Sequence, residues 1–348
     1  MELKDIVAPL LLWYRSHARD LPWRKNITPY RTWISEIMLQ QTRVDTVIPY
    51  YLRFLDELPD IASLASVPEE RLLKLWEGLG YYSRAKNLQK AAQVIMEKHQ
   101  GVFPGSYAEI LALPGIGEYT AGAVSSIAFG QPYPAVDGNV LRVITRLTGN
   151  FGNISDPAVK ASIRDELQKI YPAESCGNFT QALMELGAVV CVPNGPPVCG
   201  NCPSRHLCTA YAGKLTAELP VRQPPRAKRN ENKTVLLISC GSKIALCKRQ
   251  GKGVLAGMWS FPMLENHCSS ADAAAFLEKS GFEILDIRQG ENRKHVFTHL
   301  IWNMQCFCCA VKNMPESFHW FSAGSLLNDL SMPTAFRQFQ KQLPEEWF

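Results

Sequence analysis

No run of apolar residues in this sequence of 348 residues reaches the roughly 20 that a membrane-spanning helix requires. The N-terminal stretch also lacks the long apolar core and the small-residue cleavage site of a secretory signal. We therefore expect an intracellular protein with no membrane partner, cytoplasmic if its source is bacterial. In a reducing compartment its eleven cysteines would remain thiols or metal ligands.

An excess of positive or negative charge is also missing from most of the chain. The formal net charge is +5, but residues 1–221 hold 21 Lys and Arg against 21 Asp and Glu. The excess therefore lies in residues 222–348, and charge alone does not predict nucleic-acid binding. A hydrophobic share of 46% with 20% charged residues excludes a disordered chain. The length predicts about two folded domains.

Apolar residues recur at helical spacing from residue 1 to about residue 210, which predicts an all-α domain. The pattern includes Ile34, Ile37, Met38 and Gln41, and again Val140, Val143, Ile144 and Leu147. A proline-rich, basic segment over residues 219–229 then favours an extended connector.

The last third of the chain has a different pattern, rich in β-branched and aromatic residues. It predicts strands over 234–239, 243–249 and 295–311, with a helix over 270–280. The second domain is therefore expected to be α+β and smaller than the first. We place the all-α domain at 1–215, the linker at 216–232 and the α+β domain at 233–348.

Four cysteines lie close together after an apolar helix expected over residues 179–190. They are Cys191, Cys199, Cys202 and Cys208, separated by gaps of seven, two and five residues. Structural zinc sites more often pair two CxxC-like units, so this spacing favours a [4Fe-4S] cluster in the loop 191–208. Four unrelated buried cysteines are the alternative.

A glycine-rich turn separates two helical stretches at about residues 108–130. Gly115 and Gly117 let the backbone turn tightly, and a helix starting after them would direct free N–H groups at a phosphate. This pattern is typical of a helix-hairpin-helix DNA anchor. An ordinary interhelical turn is the alternative.

Further motifs accompany the turn and the cysteines. They are residues 21–24 (LPWR), 33–42 (WISEIMLQQT), 78–84 (GLGYYSR) and 136–140 (VDGNV). Together they resemble the endonuclease III superfamily of DNA glycosylases, and within it the MutY-type adenine DNA glycosylases, over nearly the whole chain. The resemblance implies a base excision repair enzyme. Such an enzyme extrudes and removes adenine opposite 8-oxoguanine or guanine in double-stranded DNA. We expect a monomer, located on the nucleoid if bacterial.

The resemblance assigns chemistry to two carboxylates. Glu36 matches the general acid that protonates the adenine ring, which requires a dry pocket that raises its pKa. Without the resemblance, a solvated glutamate on an amphipathic helix would be favoured. Asp137 precedes an apolar helix, where an N-cap favours the ionised form. It matches the group that stabilises or captures the sugar cation.

Tyr119 and Asn139 are implied to hold the Asp137 carboxylate and the sugar region in position. Superfamily members that also cut the strand carry a Lys nucleophile where this chain has Tyr119. No Schiff base is available there, so a monofunctional glycosylase is expected.

Residues around the extruded base are also implied by the resemblance, although each one alone would suit ordinary packing. The expected adenine pocket contains Trp23, Arg24, Leu39, Gln181 and Met184. Gln41 and Tyr81 match residues that fill or probe the vacated stack.

The C-terminal domain resembles a Nudix-like module that reads 8-oxoguanine, on the basis of residues 253–262 (GVLAGMWSFP). The REXXEE segment with which true Nudix hydrolases bind Mg²⁺ is absent after it, so binding without hydrolysis is expected. Phe297, Thr298 and His299 match a Phe-Ser-His lesion reader. Threonine keeps the hydroxyl and adds a methyl group. A routine strand with a satisfied histidine is the alternative.

Three other interpretations are weaker. Tyr119 and the long C-terminal domain disfavour a pyrimidine-lesion glycosylase of the endonuclease III kind. Glu36 and Asp137 disfavour a non-catalytic iron–sulfur module that only binds DNA. The missing metal carboxylates disfavour a Nudix pyrophosphatase.

Overall fold

The computed structural model describes residues 2–224, 227–249 and 253–343. In the first of these ranges the regular elements are helical. The α-helices are α1 (Val7–His17), α2 (Pro29–Leu39), α3 (Val44–Glu57), α4 (Ile61–Ser66), α5 (Glu69–Leu75), α6 (Ser83–Lys98), α7 (Tyr107–Leu111), α8 (Glu118–Phe129), α9 (Gly138–Thr148), α10 (Pro157–Gln168), α11 (Cys176–Val189) and α12 (Thr209–Ala212).

The later ranges contain a sheet and further helices. The strands are β1 (Arg229–Cys240), β2 (Lys243–Lys248), β3 (Trp259–Ser260), β4 (Met263–Glu265), β5 (Ile284–Gln289), β6 (Arg293–Val296), β7 (Leu300–Val311) and β8 (His319–Ser322). The helices are α13 (Ser270–Lys279), α14 (Ala323–Asn328) and α15 (Thr334–Arg337). This order confirms the predicted all-α region followed by an α+β region.

Contacts divide the chain into two units at different boundaries from those expected. The helical unit comprises residues up to Ser66 together with Lys86–Pro224. The C-terminal unit comprises Val67–Ala85 together with the residues from Pro225 onward. Segment 67–85 continues the helical pattern of its neighbours, so nothing local in the sequence indicated that it packs with residues far along the chain.

The segment expected as a linker, 216–232, is ordered at both ends. Leu219 is buried and its carbonyl accepts a hydrogen bond of 2.8 Å from Arg146 Nε. The Val221 carbonyl accepts one of 3.0 Å from the Ile154 amide. β1 begins at Arg229, and residues 225 and 226 lie outside the described ranges. Proline content indicates irregular backbone, but it does not show where the carbonyls of that backbone find donors.

The core of the helical unit is formed by one face of each of several helices. Its buried side chains come from α1, α9, α10 and α11. On α9 they recur at a period of three to four residues: Val140, Val143, Ile144 and Leu147. Separately, α2 packs on α8, and α11 packs on both α8 and α9. These contacts place α8 and α9 against α11, and α2 against α8.

The sheet of the C-terminal unit is mixed. β1 and β7 pair in parallel, from Arg229 opposite Leu300 to Ser239 opposite Ala310, and the other pairings are antiparallel. Both central strands are apolar on two faces, as expected for strands covered on both sides. Trp302 and Met304 face a core that includes Phe336 of α15, while Phe307 faces a core that includes Leu277 of α13.

Within the described ranges, no helix combines the length and the apolar character that crossing a membrane demands.

Candidate active site

A cavity of about 810 Å³, open to solvent, lies in the helical unit. Its walls come from α2, α8, α11, the start of α9 and the loop before α2. Polar and apolar side chains share the lining, which is Arg19, Leu21, Trp23, Arg24, Thr32, Ser35, Glu36, Leu39, Thr42, Val44, Tyr119, Ile127, Asp137, Asn139, Gln181, Met184, Glu185 and Ala188. The cavity thus contains all of the predicted catalytic residues and the predicted adenine pocket.

Helix α2 supplies one wall. Its N-cap is Thr28, whose hydroxyl accepts a 3.2 Å hydrogen bond from the Arg31 amide, and proline occupies the first helical position. The side chains at i, i+3, i+4 and i+7 share one helical face. Those at the cavity are Thr32, Ser35, Glu36 and Leu39. The opposite face is buried in the core, so the Glu36 carboxylate is separated from the apolar stripe as the spacing predicts.

The helical spacing does not extend to Gln41, contrary to expectation. Helix α2 ends at Leu39, and Gln41 has a positive φ of 57°. Gln41 is not among the cavity-lining residues.

Glu36 is 5% exposed, and burial is the main reason that its pKa rises from 4.5 to about 7. The phenol of Tyr119 donates a hydrogen bond to Glu36 Oε2, which favours the ionised form and limits the rise. The negative charge of Asp137 raises the pKa further, and the positive charge of Arg24 lowers it. A carboxyl with this pKa exists in both protonation states near neutral pH.

Tyr119 holds Glu36 in the structure, whereas we expected it to hold Asp137. Burial raises the pKa of Tyr119 well above 10, so the phenol keeps its proton as a donor. The expectation followed from the family resemblance, which does not show which carboxylate α8 faces in this chain.

Asp137 is the N-cap of α9, as predicted. One carboxylate oxygen accepts the Val140 amide at 2.8 Å, and the other accepts Asn139 Nδ2 at 2.8 Å. We expected the helix terminus to keep the carboxylate ionised, but burial dominates and raises the pKa of Asp137. The hydrogen bonds to Val140 and Asn139 act in the opposite direction and limit this rise.

Arg142, one turn further along α9, was not singled out from the sequence. It is 3% exposed, and its guanidinium donates to Asn139 Oδ1 at 2.7 Å, to the Cys191 carbonyl at 2.6 Å and to the Gly187 carbonyl at 2.7 Å. A chain of hydrogen bonds therefore connects Asp137 through Asn139 and Arg142 to the start of the cysteine loop. An arginine three residues after Asn139, between the apolar Leu141 and Val143, was the available signal.

A second network missed from the sequence surrounds Glu185 of α11, which is 1% exposed. Arg19 donates to both carboxylate oxygens, at 2.6 and 3.0 Å, and Arg24 donates to Oε2 at 2.8 Å. Burial raises the pKa of Glu185, but these hydrogen bonds outweigh it and hold the pKa below its usual range. Arg24 Nε also donates to Gln181 Oε1 at 3.1 Å. The network fixes two predicted pocket residues, Arg24 and Gln181, in the cavity wall.

The hairpin has the predicted form, with α7 and α8 joined by residues 112–117. Gly115 has a φ of +75°, and a Cβ there would lie 2.5 Å from Asn87 Cβ, so only glycine fits. Gly117 is the N-cap of α8. The first amides of this helix are therefore placed to bind a phosphate.

The four predicted cysteines line a second cavity in the helical unit, of about 390 Å³ including its open mouth. None of the four forms a disulfide, and Arg146 donates to Cys191 Sγ at 3.3 Å. In the part of the chain that is described, no three His, Cys, Asp or Glu side chains converge on a point suited to one metal ion. The four thiols thus line one cavity.

Phe297, Thr298 and His299 lie in the C-terminal unit, in the turn between β6 and β7. One strand over 295–311 was expected, and this was wrong because the chain reverses there: the Phe297 amide donates to the Leu300 carbonyl at 2.8 Å. Thr298 and His299 are exposed. The Thr298 hydroxyl hydrogen-bonds to the phenol of Tyr81, which belongs to the same unit.

Comparisons with known proteins define the class first. Residues 34–169 match the family model of the HhH-GPD superfamily base excision DNA repair proteins, and residues 234–342 match that of the NUDIX domain. A solved structure, of a thermostable thymine-DNA glycosylase, is 30% identical with a TM-score of 0.56 and covers 60% of this chain and 96% of its own.

Curated relatives then define the particular family. The adenine DNA glycosylase of Buchnera aphidicola subsp. Baizongia pistaciae is 36% identical over 299 residues, which are 84% of this chain and 82% of the relative. The human adenine DNA glycosylase is 32% identical over 405 residues, covering 96% and 74%. The chain therefore belongs to the adenine DNA glycosylase family. It is a base excision repair enzyme that acts on N-glycosyl bonds, and DNA is its partner.

Proposed function

We propose that this enzyme removes adenine opposite 8-oxoguanine or guanine from duplex DNA, without cutting the strand. The observation that carries the proposal is a pair of carboxyls in one cavity, the buried Glu36 and the partly buried Asp137, with two different sets of hydrogen-bond partners. An N-glycosidic bond breaks when a proton reaches the base and the sugar cation is stabilised. Two carboxyls in different environments suit these two tasks.

Glu36 is the proposed general acid. With a pKa of about 7, a large share of its carboxyls carries a proton at neutral pH and can transfer it to the adenine ring. Departure of the base then draws electrons from the sugar and leaves a cation at C1′.

Asp137 is the proposed partner of that cation. Its hydrogen bonds from Val140 and Asn139 fix the carboxylate and favour the ionised form, which attracts or captures C1′. Asn139 is itself fixed by Arg142. The assignment makes Asn139 a positioning residue.

Tyr119 explains why the strand stays intact. Cutting requires an amine that forms a Schiff base with the opened sugar, and the hairpin offers a phenol at that position. The phenol instead orients the Glu36 carboxyl.

Adenine is proposed to enter the same cavity after extrusion from the duplex. Trp23 and Leu39 offer flat apolar contacts, and Met184 offers a flexible one. Arg24, held by Glu185, and Gln181, held in turn by Arg24, offer polar groups for the purine edge.

The opposite base is proposed to be read by the C-terminal unit. Phe297 packs between His295 and Trp302, at ring-centroid distances of 4.5 and 4.8 Å, which fixes the turn. Thr298 and His299 then present polar side chains to solvent, where the edge of a base can contact them.

Cys191, Cys199, Cys202 and Cys208 are proposed to hold a [4Fe-4S] cluster, because four thiols without disulfides surround one cavity. When bound, the cluster would cross-link the loop 191–208 through four thiolate ligands. Arg146 would donate to one of its sulfur ligands. Action as a monomer in the cytoplasm remains a prediction.

The test of opposite-base reading compares adenine excision on duplexes that differ only in 8-oxoguanine or guanine opposite the adenine, at subsaturating enzyme. The parent should prefer 8-oxoguanine, and His299→Ala should reduce this preference roughly tenfold, since one polar base contact is worth about 1–3 kcal/mol. His267→Ala, in the same unit but away from the turn, is the control. An unchanged ratio in His299→Ala would exclude this residue as a reader of the base.

A further inference from the structure

The segment Val67–Ala85 shares its unit with the residues from Pro225 onward, and specific polar contacts account for this. Lys74 Nζ donates to the Leu330 carbonyl at 3.0 Å. Glu77 accepts the Met332 amide at 2.8 Å. The residues joined by these bonds are 256 and 255 positions apart in sequence.

Glu77 is the centre of these contacts. Its side chain is 6% exposed, and both oxygens are engaged: Oε1 by the Met332 amide, and Oε2 by Lys74 at 3.1 Å and Arg337 at 3.2 Å. A carboxylate buried this deeply is strongly destabilising unless cations and N–H donors surround it. This arrangement supplies both, and therefore has one preferred geometry.

The loop that follows Glu77 is held in an unusual conformation. Gly78 and Gly80 have φ of +103° and +71°, and Tyr81 has φ of +47°, a region that non-glycine residues rarely adopt. Trp76 Nε1 donates to the Gly80 carbonyl at 3.1 Å, and Arg84 donates to the same carbonyl at 3.2 Å. A strained loop persists only where its surroundings determine it.

The loop ends at Tyr81, which is 44% exposed and whose phenol bonds the Thr298 hydroxyl in the β6–β7 turn. The C-terminal part of the unit thus contacts segment 67–85 at the ion-pair cluster around Glu77 and at the hydroxyl pair of Thr298, besides the exposed Glu70–Lys248 ion pair. Only three residues along the chain lie between Glu77 and Tyr81. The two contacts are therefore joined by a short stretch of backbone.

We propose that Glu77 is a positioning residue for opposite-base recognition: its buried carboxylate anchors the 78–82 loop to residues 330–337, so that Tyr81 and Thr298 present one composite surface. This inference rests on the proposed role of the 297–299 turn. It assigns no part in bond cleavage to Glu77.

The test is Glu77→Gln in the full-length protein. The amide still accepts the Met332 N–H but loses the attraction to Lys74 and Arg337, so the preference for 8-oxoguanine over guanine should fall at least about fivefold at subsaturating enzyme. The single-turnover rate at saturating enzyme on the 8-oxoguanine duplex should stay within about twofold, because the chemistry is untouched. A change confined to the ratio separates positioning from general loss of stability.

Two variants serve as comparisons. Glu70→Gln removes an exposed ion pair with Lys248, of 3.0 Å, from the same segment and should leave the ratio unchanged. Arg337→Met removes one partner of Glu77 and should lower the ratio, and the double variant Glu77→Gln/Arg337→Met should fall by less than the product of the two single effects.

An unchanged ratio in Glu77→Gln would overturn the inference. If Glu77→Gln is insoluble, Arg337→Met decides: a ratio equal to that of Glu70→Gln also overturns it. His299→Ala, measured in parallel, keeps the two proposals distinct. A drop in that variant with no drop in Glu77→Gln rejects only the role of Glu77, whereas no drop in His299→Ala rejects only the reading role of His299.

Discussion

Replacement of Glu36 by glutamine perturbs the proposed acid with little change of shape. Burial raises the pKa of Glu36 from 4.5 to about 7. At pH 7 about half of such carboxyls are protonated, against about 0.3% at the ordinary value. The buried site therefore provides roughly 150 times more of the acid form, and glutamine removes the transferable proton altogether.

The same burial destabilises the folded protein when Glu36 is ionised, and this loss of stability depends on pH. Because the pKa is higher in the folded chain than in the unfolded one, the stability contributed by the protonated carboxyl is complete below about pH 4.5 and lost as the pH rises through about 7. One pKa unit corresponds to 1.36 kcal/mol. The loss in the free energy of unfolding therefore approaches about 3 kcal/mol at pH 8 and is below about 1 kcal/mol at pH 5. Glu36→Gln should therefore stabilise the protein at pH 8, by roughly 5–10 °C in Tm, and have little effect at pH 5.

The assay combines single-turnover excision at saturating enzyme with thermal melting between pH 5 and 9. The parent rate should fall about tenfold per pH unit above 7, and the variant should be slower by about 10²–10⁴ with no such fall. Glu70→Gln, an exposed substitution of the same kind, should show neither change. Variant rates within about threefold of the parent, equivalent to about 0.6 kcal/mol, would refute the role of Glu36. A Tm gain equal at both pH values would refute the burial argument.

Three further predictions concern the surroundings of the carboxyls. Tyr119→Phe removes a hydrogen bond that favours the ionised Glu36, so the pH at which excision begins to fall should move upward; a downward move would contradict the geometry. Arg142→Met should slow excision by about tenfold or more and lower Tm, because it removes the hydrogen bond that holds Asn139 and leaves buried carbonyls without a donor. Parent-like kinetics would show that this hydrogen bond does not contribute to excision. Metal analysis should find iron and sulfide in near-equal amounts, retained in Cys176→Ser, and zinc without sulfide would exclude the cluster.

The parts of the site that depend on local sequence were predicted. The face of α2 that carries Glu36 follows from helical spacing, and the capping role of Asp137 follows from its place before an apolar helix. The glycine turn before α8 is also a local signal. In each case residues within a few positions of one another determine the geometry.

The parts of the site that depend on packing between distant residues were not predicted. The pairing of Tyr119 with Glu36 joins residues 83 positions apart, and the Glu77 contact with Met332 joins residues 255 apart. Neither has a local signature, because a buried charge becomes stable only through partners that the fold brings to it. The reversal at 297–299 was missed for a different reason: its flanking residues are β-formers on both sides, and no Gly, Pro, Asn or Asp marks the turn.

The most direct measurement uses a labelled duplex with one adenine opposite 8-oxoguanine, incubated with the purified enzyme and divided before alkali treatment. We predict release of free adenine, with strand breakage at that position only in the alkali-treated half. Breakage without alkali would contradict the monofunctional chemistry assigned to Tyr119. Absence of adenine release by a folded enzyme would contradict the proposed reaction itself.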